Sequence, residues 1–145
     1  MKTQVPLWLA IVLKKKKKCQ IIPPGWLSKG NIELLFYSKD YLKSKLEEEK
    51  LQPGFSSLPF HYMEHSHTLL KNAADDIEDA EELRVLIKDI WELRERKVQA
   101  GFQTLDQHYL QMDHLGLLEI NSLRPIFTKG MLGLYRILEE EQPLS

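Results

Sequence analysis

The sequence is nearly free of cysteine, with Cys19 alone among 145 residues. A single cysteine excludes an intrachain disulfide and is typical of a protein in a reducing compartment, the cytosol or the nucleus. The N-glycosylation signal Asn-x-Ser/Thr is also missing. Both absences argue against a secreted domain held together by disulfides.

Long apolar runs are missing as well. The run from Val5 to Leu13 has nine mostly apolar residues and stops at five lysines. A membrane-spanning helix needs about 20 apolar residues, so this run is too short to cross a bilayer. A signal peptide has its basic residues before the apolar core and a cleavage site after it, whereas here the lysines stand where that site belongs. The sequence therefore predicts neither a membrane span nor secretion.

Glycine-rich phosphate loops are absent too, because neither G-x-G-x-x-G nor G-x-x-x-x-G-K-S/T occurs. What the sequence does have is an uneven distribution of charge. Residues 1–50 contain eleven lysines and five acidic residues, whereas residues 51–145 contain nine basic and sixteen acidic residues. A basic first third before an acidic remainder predicts two segments with different surroundings.

The first segment has the pattern of a β-hairpin. Apolar side chains occupy both faces of residues 7–13, as in a strand buried on both sides, and residues 19–22 are a second short strand candidate. The lysines between them would form a solvated turn. Because an isolated hairpin is marginally stable, these strands need further strands or a partner to cover them.

The rest of the chain has helical patterns. One helix is expected to open at Ser56 or Ser57 with Pro59 in its first turn, and a last one at Ser122 with Pro125 in its first turn. Between them, a helix over about residues 80–105 has the strongest apolar stripe, formed by Leu83, Leu86, Ile87, Ile90, Val98, Phe102 and Leu105. The last helix contains Gly130 and Gly133, which favour close packing against another backbone. The predicted fold class is mainly α, a helical bundle behind a β-hairpin.

The stretch HYMEH at residues 61–65 matches the H-x-x-E-H pattern of inverted zinc peptidases. On a helix His61 and His65 share a face, Glu64 would be the general base, and a third ligand could come from residues 139–141. A five-residue match is a weak signal, and exposed histidines at a helix edge are the simpler interpretation. A small zinc-dependent hydrolase is therefore an alternative; the preferred interpretation has no catalytic residue, metal or cofactor.

The lysine run admits three interpretations. It can be a solvated turn, a nuclear import signal, or a patch that binds nucleic-acid phosphates, with Trp8 and Trp26 nearby for stacking. The patch would consist of Lys14, Lys15, Lys16, Lys17 and Lys18. Direct nucleic-acid binding is thus a second alternative function.

Four blocks of sequence carry a resemblance. They are VPLWLAIVLKKKKKCQIIPPGW, LPFHYMEHSHTLLKNAADDI, ELRVLIKDIWELRERKV and LDQHYLQMDHLGLLEIN, in that order. Together they resemble the Psf-two-type subunits of the eukaryotic GINS complex, from Val5 to about Leu138. The most specific elements are PLWLAI, the Lys-Cys pair followed by Pro-Pro and Trp, KDIW with the following arginine, and LEIN.

The resemblance implies a scaffold subunit without catalysis of its own. GINS is a heterotetramer of four related subunits, each with a helical A domain and a small β-rich B domain, and in this type the B domain comes first. The complex joins the Mcm ring and a Cdc-type co-activator in the replicative helicase. The implied partners are therefore three sister subunits, with the Mcm ring and the co-activator reached through the complex. The implied place is the nucleus, with a role in the initiation and elongation of DNA replication, no membrane, and at most weak or indirect contact with DNA.

The same resemblance divides the chain. Family members carry further B-domain strands before VPLWLAI, so residues 1–24 are expected to be the remnant of a truncated B domain. Residues 25–55 are expected to be a linker, in which residues 30–50 look like an insertion, and residues 56–145 the helical A domain. His61 and His65 stand where the family has an aromatic and an apolar residue, which weakens the zinc interpretation. The residues expected to serve packing and the partner interface are Leu83, Ile87, Ile90, Trp91, Arg94, Phe102 and Tyr135.

Overall fold

The structure is a computed structural model that describes residues 2–27, 38–103 and 113–140. This part of the chain contains five α-helices: α1 (Leu7–Lys15), α2 (Ser38–Leu51), α3 (Tyr62–Asn72), α4 (Ala80–Gln103) and α5 (Leu117–Glu140). Single 3-10 turns lie at Gly25–Leu27 and Ala74–Asp76. The predicted mainly helical class is confirmed, whereas the β-hairpin is not, because the described residues contain no strand. None of the described helices is both long and apolar enough to span a membrane.

Residues 7–15 form α1 where the sequence predicted the first strand, so that prediction is wrong for these residues. A short continuous apolar run fits a buried strand or a helix equally well. A helix satisfies its backbone hydrogen bonds within the segment, whereas a strand needs a neighbour for them. The Pro6 carbonyl opens α1 by accepting the amides of Leu9 and Ala10. Residues 19–22, the second strand candidate, are not a strand either.

The lysine run is the end of α1 rather than the tip of a hairpin. The Lys18 amide donates to the Leu13 carbonyl at 3.0 Å and the Lys17 amide to the Lys14 carbonyl at 2.8 Å, the pair of bonds that defines a Schellman cap. Lys17 has a φ of 56°, a conformation that glycine usually occupies and that costs another residue about 1–2 kcal/mol. Lysines at this end also complement the negative end of the helix dipole.

The centre of the fold is α4, whose apolar stripe is buried as predicted. Four of its side chains are at most 7% exposed: Leu83, Leu86, Ile87 and Ile90. Helix α2 packs along α4 and buries Leu42 completely. From α3 the core receives Tyr62, Leu69 and Leu70, and the first 3-10 turn adds Leu27. The Lys43 ammonium lies 3.1 Å from a Glu82 carboxylate oxygen and links the outer edges of α2 and α4.

The N-terminal segment is fastened to the turn between α3 and α4. The Lys14 ammonium lies 2.6 Å from carboxylate oxygens of both Asp75 and Asp76, and Asp76 also accepts the Ile21 amide at 2.8 Å. The hydrogen bond to Asp75 raises the pKa of Lys14, and the same bond lowers the pKa of Asp75. One lysine of the five therefore has a structural partner within the bundle.

Two helix starts differ from the sequence prediction. Helix α3 begins at Tyr62 rather than near Pro59, and the Ser56 amide before it donates to the Glu49 carboxylate at 2.6 Å. Helix α5 begins at Leu117 rather than after Ser122 and continues through Pro125. Its start is anchored earlier, since the Leu117 amide donates to the Phe60 carbonyl at 2.9 Å.

Candidate interaction surfaces and the buried arginine network

Arg94 is the largest fully buried side chain of the described residues, at 1% exposed. Its Nε donates to Oε1 of Glu119 at 2.8 Å, and its Nη2 donates to Oε2 of the same carboxylate at 3.0 Å. This paired geometry is the strongest arrangement between a guanidinium and a carboxylate. Further bonds run to the carbonyl of Ser56 at 3.1 Å and to that of His114 at 2.6 Å.

A second carboxylate, Glu49, lies on the other side of Arg94 and is fully buried. Its Oε1 is 3.6 Å from Nη1 of Arg94 and 3.5 Å from the ammonium of Lys97, while Oε2 accepts the Ser56 amide. Lys97 also donates to the Gly54 carbonyl at 2.7 Å. Two cations therefore face two carboxylates, and this balance is what makes burial of the four charges tolerable.

Tyr62 and Gly116 complete the coordination of Glu119. The Tyr62 hydroxyl donates to Oε1 at 2.8 Å and the Gly116 amide to Oε2 at 2.7 Å. Burial, followed by the nearby Glu119 carboxylate, raises the pKa of the Tyr62 phenol strongly. A Cβ on Gly116 would lie 3.1 Å from both the Phe60 carbonyl oxygen and a Tyr62 ring carbon, so only glycine fits here without displacement.

We call these groups the Arg94 network; its members are Glu49, Ser56, Tyr62, Arg94, Lys97, His114, Gly116 and Glu119. It joins α2, the α2–α3 connection, α3, α4 and the start of α5. The charged members pair with one another, while the Ser56 hydroxyl and Oε1 of Glu49 are buried without a hydrogen-bond partner among the described residues. The network is therefore a structural centre that fixes where α5 leaves the bundle.

Sequence reasoning selected Arg94 but missed Glu49, Tyr62 and Glu119. Both carboxylates had a readable signal, because each occupies a core position of its helix. On α5, Glu119 lies four residues before buried Leu123, so its side chain lies on the same side of the helix. A charged residue in phase with an apolar stripe indicates a buried ion pair.

Beyond the network, α5 leaves the bundle with apolar side chains in water. Ile126, Met131 and Leu132 are 53%, 54% and 58% exposed. At 100° per residue, Met131 and Leu132 lie about 140° and 240° around the helix from Ile126. Among the described residues, a Cβ on Gly130 or Gly133 would meet nothing within 4 Å. This half of α5 thus has exposed apolar side chains on several sides, although Phe127 is half-buried.

The other expected interface residues divide into three groups. Leu83, Ile87 and Ile90 are buried in the core of this chain, and Trp91 is half-buried on α4. The side chains of Phe102 and Tyr135 lie outside the described residues. A role at a partner interface stays a prediction for this set.

The HYMEH residues lie close together at the start of α3. His61 Nδ1 is 3.8 Å from a Glu64 oxygen, and the rings of His61 and His65 are 5.7 Å apart. Across the described residues, no group of three or more histidine, cysteine or acidic side chains could hold a metal ion. Residues 139–141, which were expected to supply the third ligand, have side chains outside the described residues.

The lysines after Lys14 face solvent. Lys15, Lys16, Lys17 and Lys18 are exposed, and none of them forms an ion pair with a residue that the structure describes. On the same helix Trp8 is 67% exposed and Val12 42% exposed. The end of α1 therefore combines an unpaired positive cluster with an uncovered aromatic ring.

Comparison with known families matches two domain descriptions to this chain. Residues 36–137 match the GINS complex protein helical bundle domain, and residues 1–22 match the PSF2 N-terminal domain. The first match begins just before α2 and includes all of α2, α3 and α4. No support for a zinc hydrolase comes from these matches.

Curated relatives agree over nearly the whole chain. It is 40% identical over 141 residues to the DNA replication complex GINS protein psf2 of Schizosaccharomyces pombe, covering 97% of this chain and 72% of the relative. The PSF2 protein of Debaryomyces hansenii is 42% identical over 139 residues, 94% of this chain and 62% of its own length. The human PSF2 protein is 33% identical over 146 residues, 98% of this chain and 74% of its own length. The chain therefore belongs to the PSF2 family of GINS complex proteins.

Proposed function

We propose that this protein is a non-catalytic subunit of a GINS complex that acts in DNA replication. Its relatives are named as components of a DNA replication complex. The charged groups of the Arg94 network pair with one another, and the outer half of α5 exposes apolar side chains that another protein could cover. The proposed place of action is the nucleus, in the initiation and elongation of replication.

The observation that carries the proposal is the outer half of α5. A surface helix of a globular protein has one apolar face, and a helix that is apolar on several sides is normally buried. Ile126, Met131 and Leu132 point in three directions and are each more than half exposed. Partner chains packed around α5 would remove this surface from water, and the unobstructed Gly130 and Gly133 would allow a partner backbone to approach closely.

Three sister GINS subunits are the proposed partners for this surface. Half-buried Trp91 on α4, together with Phe102 and Tyr135, is proposed to extend the contact. Through the assembled complex the protein would reach the Mcm ring and the Cdc-type co-activator. These assignments rest on the resemblance and on the apolar surface.

For the division of the chain, we propose a helical domain that starts with α2 rather than at residue 56. Helix α2 packs along α4 and supplies buried Leu42 and Glu49, and the helical bundle match begins at residue 36. Residues 1–24 are proposed to be the part of a B domain that adjoins the bundle. The Lys14 contacts to Asp75 and Asp76 would hold the two parts together.

Coexpression with the three sister subunits tests the proposal. Alone, the chain is expected to aggregate or fold poorly, and coexpression should keep it soluble and copurify all four proteins. Full burial of a large apolar side chain contributes about 1.5–3 kcal/mol. Ile126, Met131 and Leu132 are each about half exposed, so a partner that covers them can still gain roughly half of this free energy from each. Changing all three to aspartate should therefore weaken copurification by at least about 30-fold, the factor that corresponds to about 2 kcal/mol.

Val85→Asp is the control, because Val85 is 55% exposed and belongs to α4 rather than α5. It introduces the same side chain on an apolar surface position and should leave copurification unchanged. A chain that is a well-behaved monomer and ignores the three sisters in a pull-down would contradict the proposal. If Val85→Asp weakens copurification as much as the α5 variant does, the proposal that α5 carries the contact surface is wrong.

A further inference from the structure

We propose that the free end of α1 binds single-stranded nucleic acid, through the indole of Trp8 and the ammonium groups of Lys15–Lys18. At 100° per residue, Val12 and Lys15 lie within about 40° of Trp8 around the helix axis. One face of α1 therefore starts with an exposed aromatic ring and ends in the lysine cluster. We call this face the α1 patch; its members are Trp8, Val12, Lys15, Lys16, Lys17 and Lys18.

The lysines of the α1 patch have no acidic partner among the residues that the structure describes. Lys14 forms ion pairs with Asp75 and Asp76. The four lysines that follow form no ion pair with a described residue. The Schellman turn, with φ of 56° at Lys17, ends the helix within this run, and all four lysines are exposed there. Four adjacent positive charges repel one another, and an array of phosphates would relieve that repulsion.

Trp8 supplies the second requirement. Its 67% exposure contrasts with the half-buried Trp26 and Trp91. Proteins that bind single strands without sequence preference combine a positively charged track with aromatic rings on which bases stack. From Trp8 to Lys15 the helix rises by about 10 Å, which is about three nucleotides at 3.4 Å per nucleotide in a stacked strand. A base on Trp8 would thus place the phosphates of nearby nucleotides beside the lysines.

The same residues fit a membrane surface less well. Amphipathic helices that lie on membranes place basic residues along their whole polar face, whereas here they are gathered at one end. A neighbouring side of α1, about 100–120° around the axis from Trp8, packs on the bundle through partly buried Leu7 and through Lys14 on Asp76. Among the large apolar side chains of residues 5–15, Val5, Trp8 and Val12 are the exposed ones, and Ile22 is exposed further along the segment. Duplex DNA is disfavoured as well, because its bases are already stacked and offer no face to an indole.

Fluorescence anisotropy with a labelled oligo(dT) tests the proposal, using the whole 145-residue chain fused to a soluble carrier and the carrier alone as blank. The logarithm of affinity should fall with the logarithm of salt concentration at about −0.7 per neutralised phosphate on a single strand. Four lysines predict a slope of about −2.8, which is about 50-fold weaker binding in 200 mM than in 50 mM salt. Replacing Lys15–Lys18 by glutamine should remove most of this slope.

The matched control replaces four exposed lysines elsewhere: Lys50, Lys71, Lys88 and Lys129. This variant has the same net charge as the α1 variant and should keep the wild-type slope. Trp8→Ala should weaken binding by about 5- to 160-fold, the range that corresponds to loss of one base–aromatic contact. Phe60→Ala removes another exposed aromatic ring, which is 50% exposed and lies just before α3, and should have no effect. Circular dichroism would verify that every variant keeps its helix content.

Three results would overturn the proposal. Equal loss of affinity in the two four-lysine variants would mean that binding depends on the net charge of the protein and not on the position of Lys15–Lys18. Unchanged affinity in Trp8→Ala would remove the stacking contact. Binding to phosphatidylserine vesicles that depends on Lys15–Lys18, with no binding to oligo(dT), would assign the patch to lipid instead. The assay does not require sister subunits, so its result is separate from that of the coexpression test.

Discussion

Replacing Arg94 by methionine measures how strongly the buried network stabilises the fold. Methionine keeps an unbranched apolar stem of similar length and removes the guanidinium. The loss covers two bonds to Glu119, one each to the carbonyls of Ser56 and His114, and the 3.6 Å ion pair with Glu49. The cost is therefore much larger than that of a surface ion pair.

Removal of one partner from a buried ion pair costs about 3–5 kcal/mol, because the other charge is left uncompensated. Here the compensation is partial. Glu119 keeps the Tyr62 hydroxyl and the Gly116 amide, and Glu49 keeps Lys97 at 3.5 Å. We therefore expect the lower part of that range, about 3–4 kcal/mol. With an m value near 2 kcal/mol/M, the urea midpoint falls by about 1.5–2 M.

The assay is urea unfolding of the whole chain, fused to a carrier that unfolds at higher urea and followed by far-ultraviolet circular dichroism. Arg96→Met is the control on the same helix, since Arg96 is 72% exposed and lies 3.6 Å from Glu92; its cost should stay below about 1 kcal/mol. Arg94→Lys should remain costly, because an ammonium cannot make the paired contact to Glu119. If Arg94→Met costs no more than Arg96→Met, the network does not stabilise the fold as argued.

Two further outcomes follow from the network. Gly116→Ala places a Cβ at 3.1 Å from the Phe60 carbonyl oxygen and should lower the free energy of unfolding by about 1–3 kcal/mol. Gly101→Ala is the control, because Gly101 has open space around it, and it should raise the free energy of unfolding by up to about 1 kcal/mol. Equal urea midpoints for the two variants would contradict the tight fit at Gly116. Tyr62 stays protonated in the folded chain because its pKa is raised, while in the unfolded chain a tyrosine ionises near pH 10. Its contribution is complete below pH 10, and the free energy of unfolding should fall above it by up to about 1.4 kcal/mol per pH unit. Unfolding curves between pH 9 and 11 should show this decline weakened in Tyr62→Phe, and an identical decline in both proteins would refute the assignment.

Helix α4 could be predicted from the sequence because its pattern is long and regular. Leu83, Ile87 and Ile90 repeat at helical spacing, and Asp79 marks the start one residue before Ala80. The segment before Lys14 could not be assigned in the same way. A seven-residue apolar run fits either secondary structure, and the contacts of Lys14 with Asp75 and Asp76, which are distant in sequence, cannot be read from the local pattern.

The start of α5 was misplaced for a similar reason. Ser122 and Pro125 are ordinary signals of a helix start, but Glu119 outweighs them. Its carboxylate binds Arg94, Tyr62 and the Gly116 amide together, which fixes the chain in position five residues earlier. A local pattern cannot reveal contacts that join residues 25 and 57 positions apart. The sequence thus indicated Arg94, whereas the roles of Glu49 and Glu119 depend on tertiary contacts that the sequence pattern does not show.

The long sequence separations within the Arg94 network also bear on the order of folding. Contacts between distant residues form slowly, because a large loop must close before any of them stabilises the chain. The α2–α4 core can assemble from residues 38–103, whereas the network is complete only after Glu119 has also reached Tyr62, 57 positions away. Substitutions at Arg94 or Glu119 should therefore mainly accelerate unfolding and leave the folding rate nearly unchanged. The network would then set the lifetime of the native state rather than the speed of reaching it.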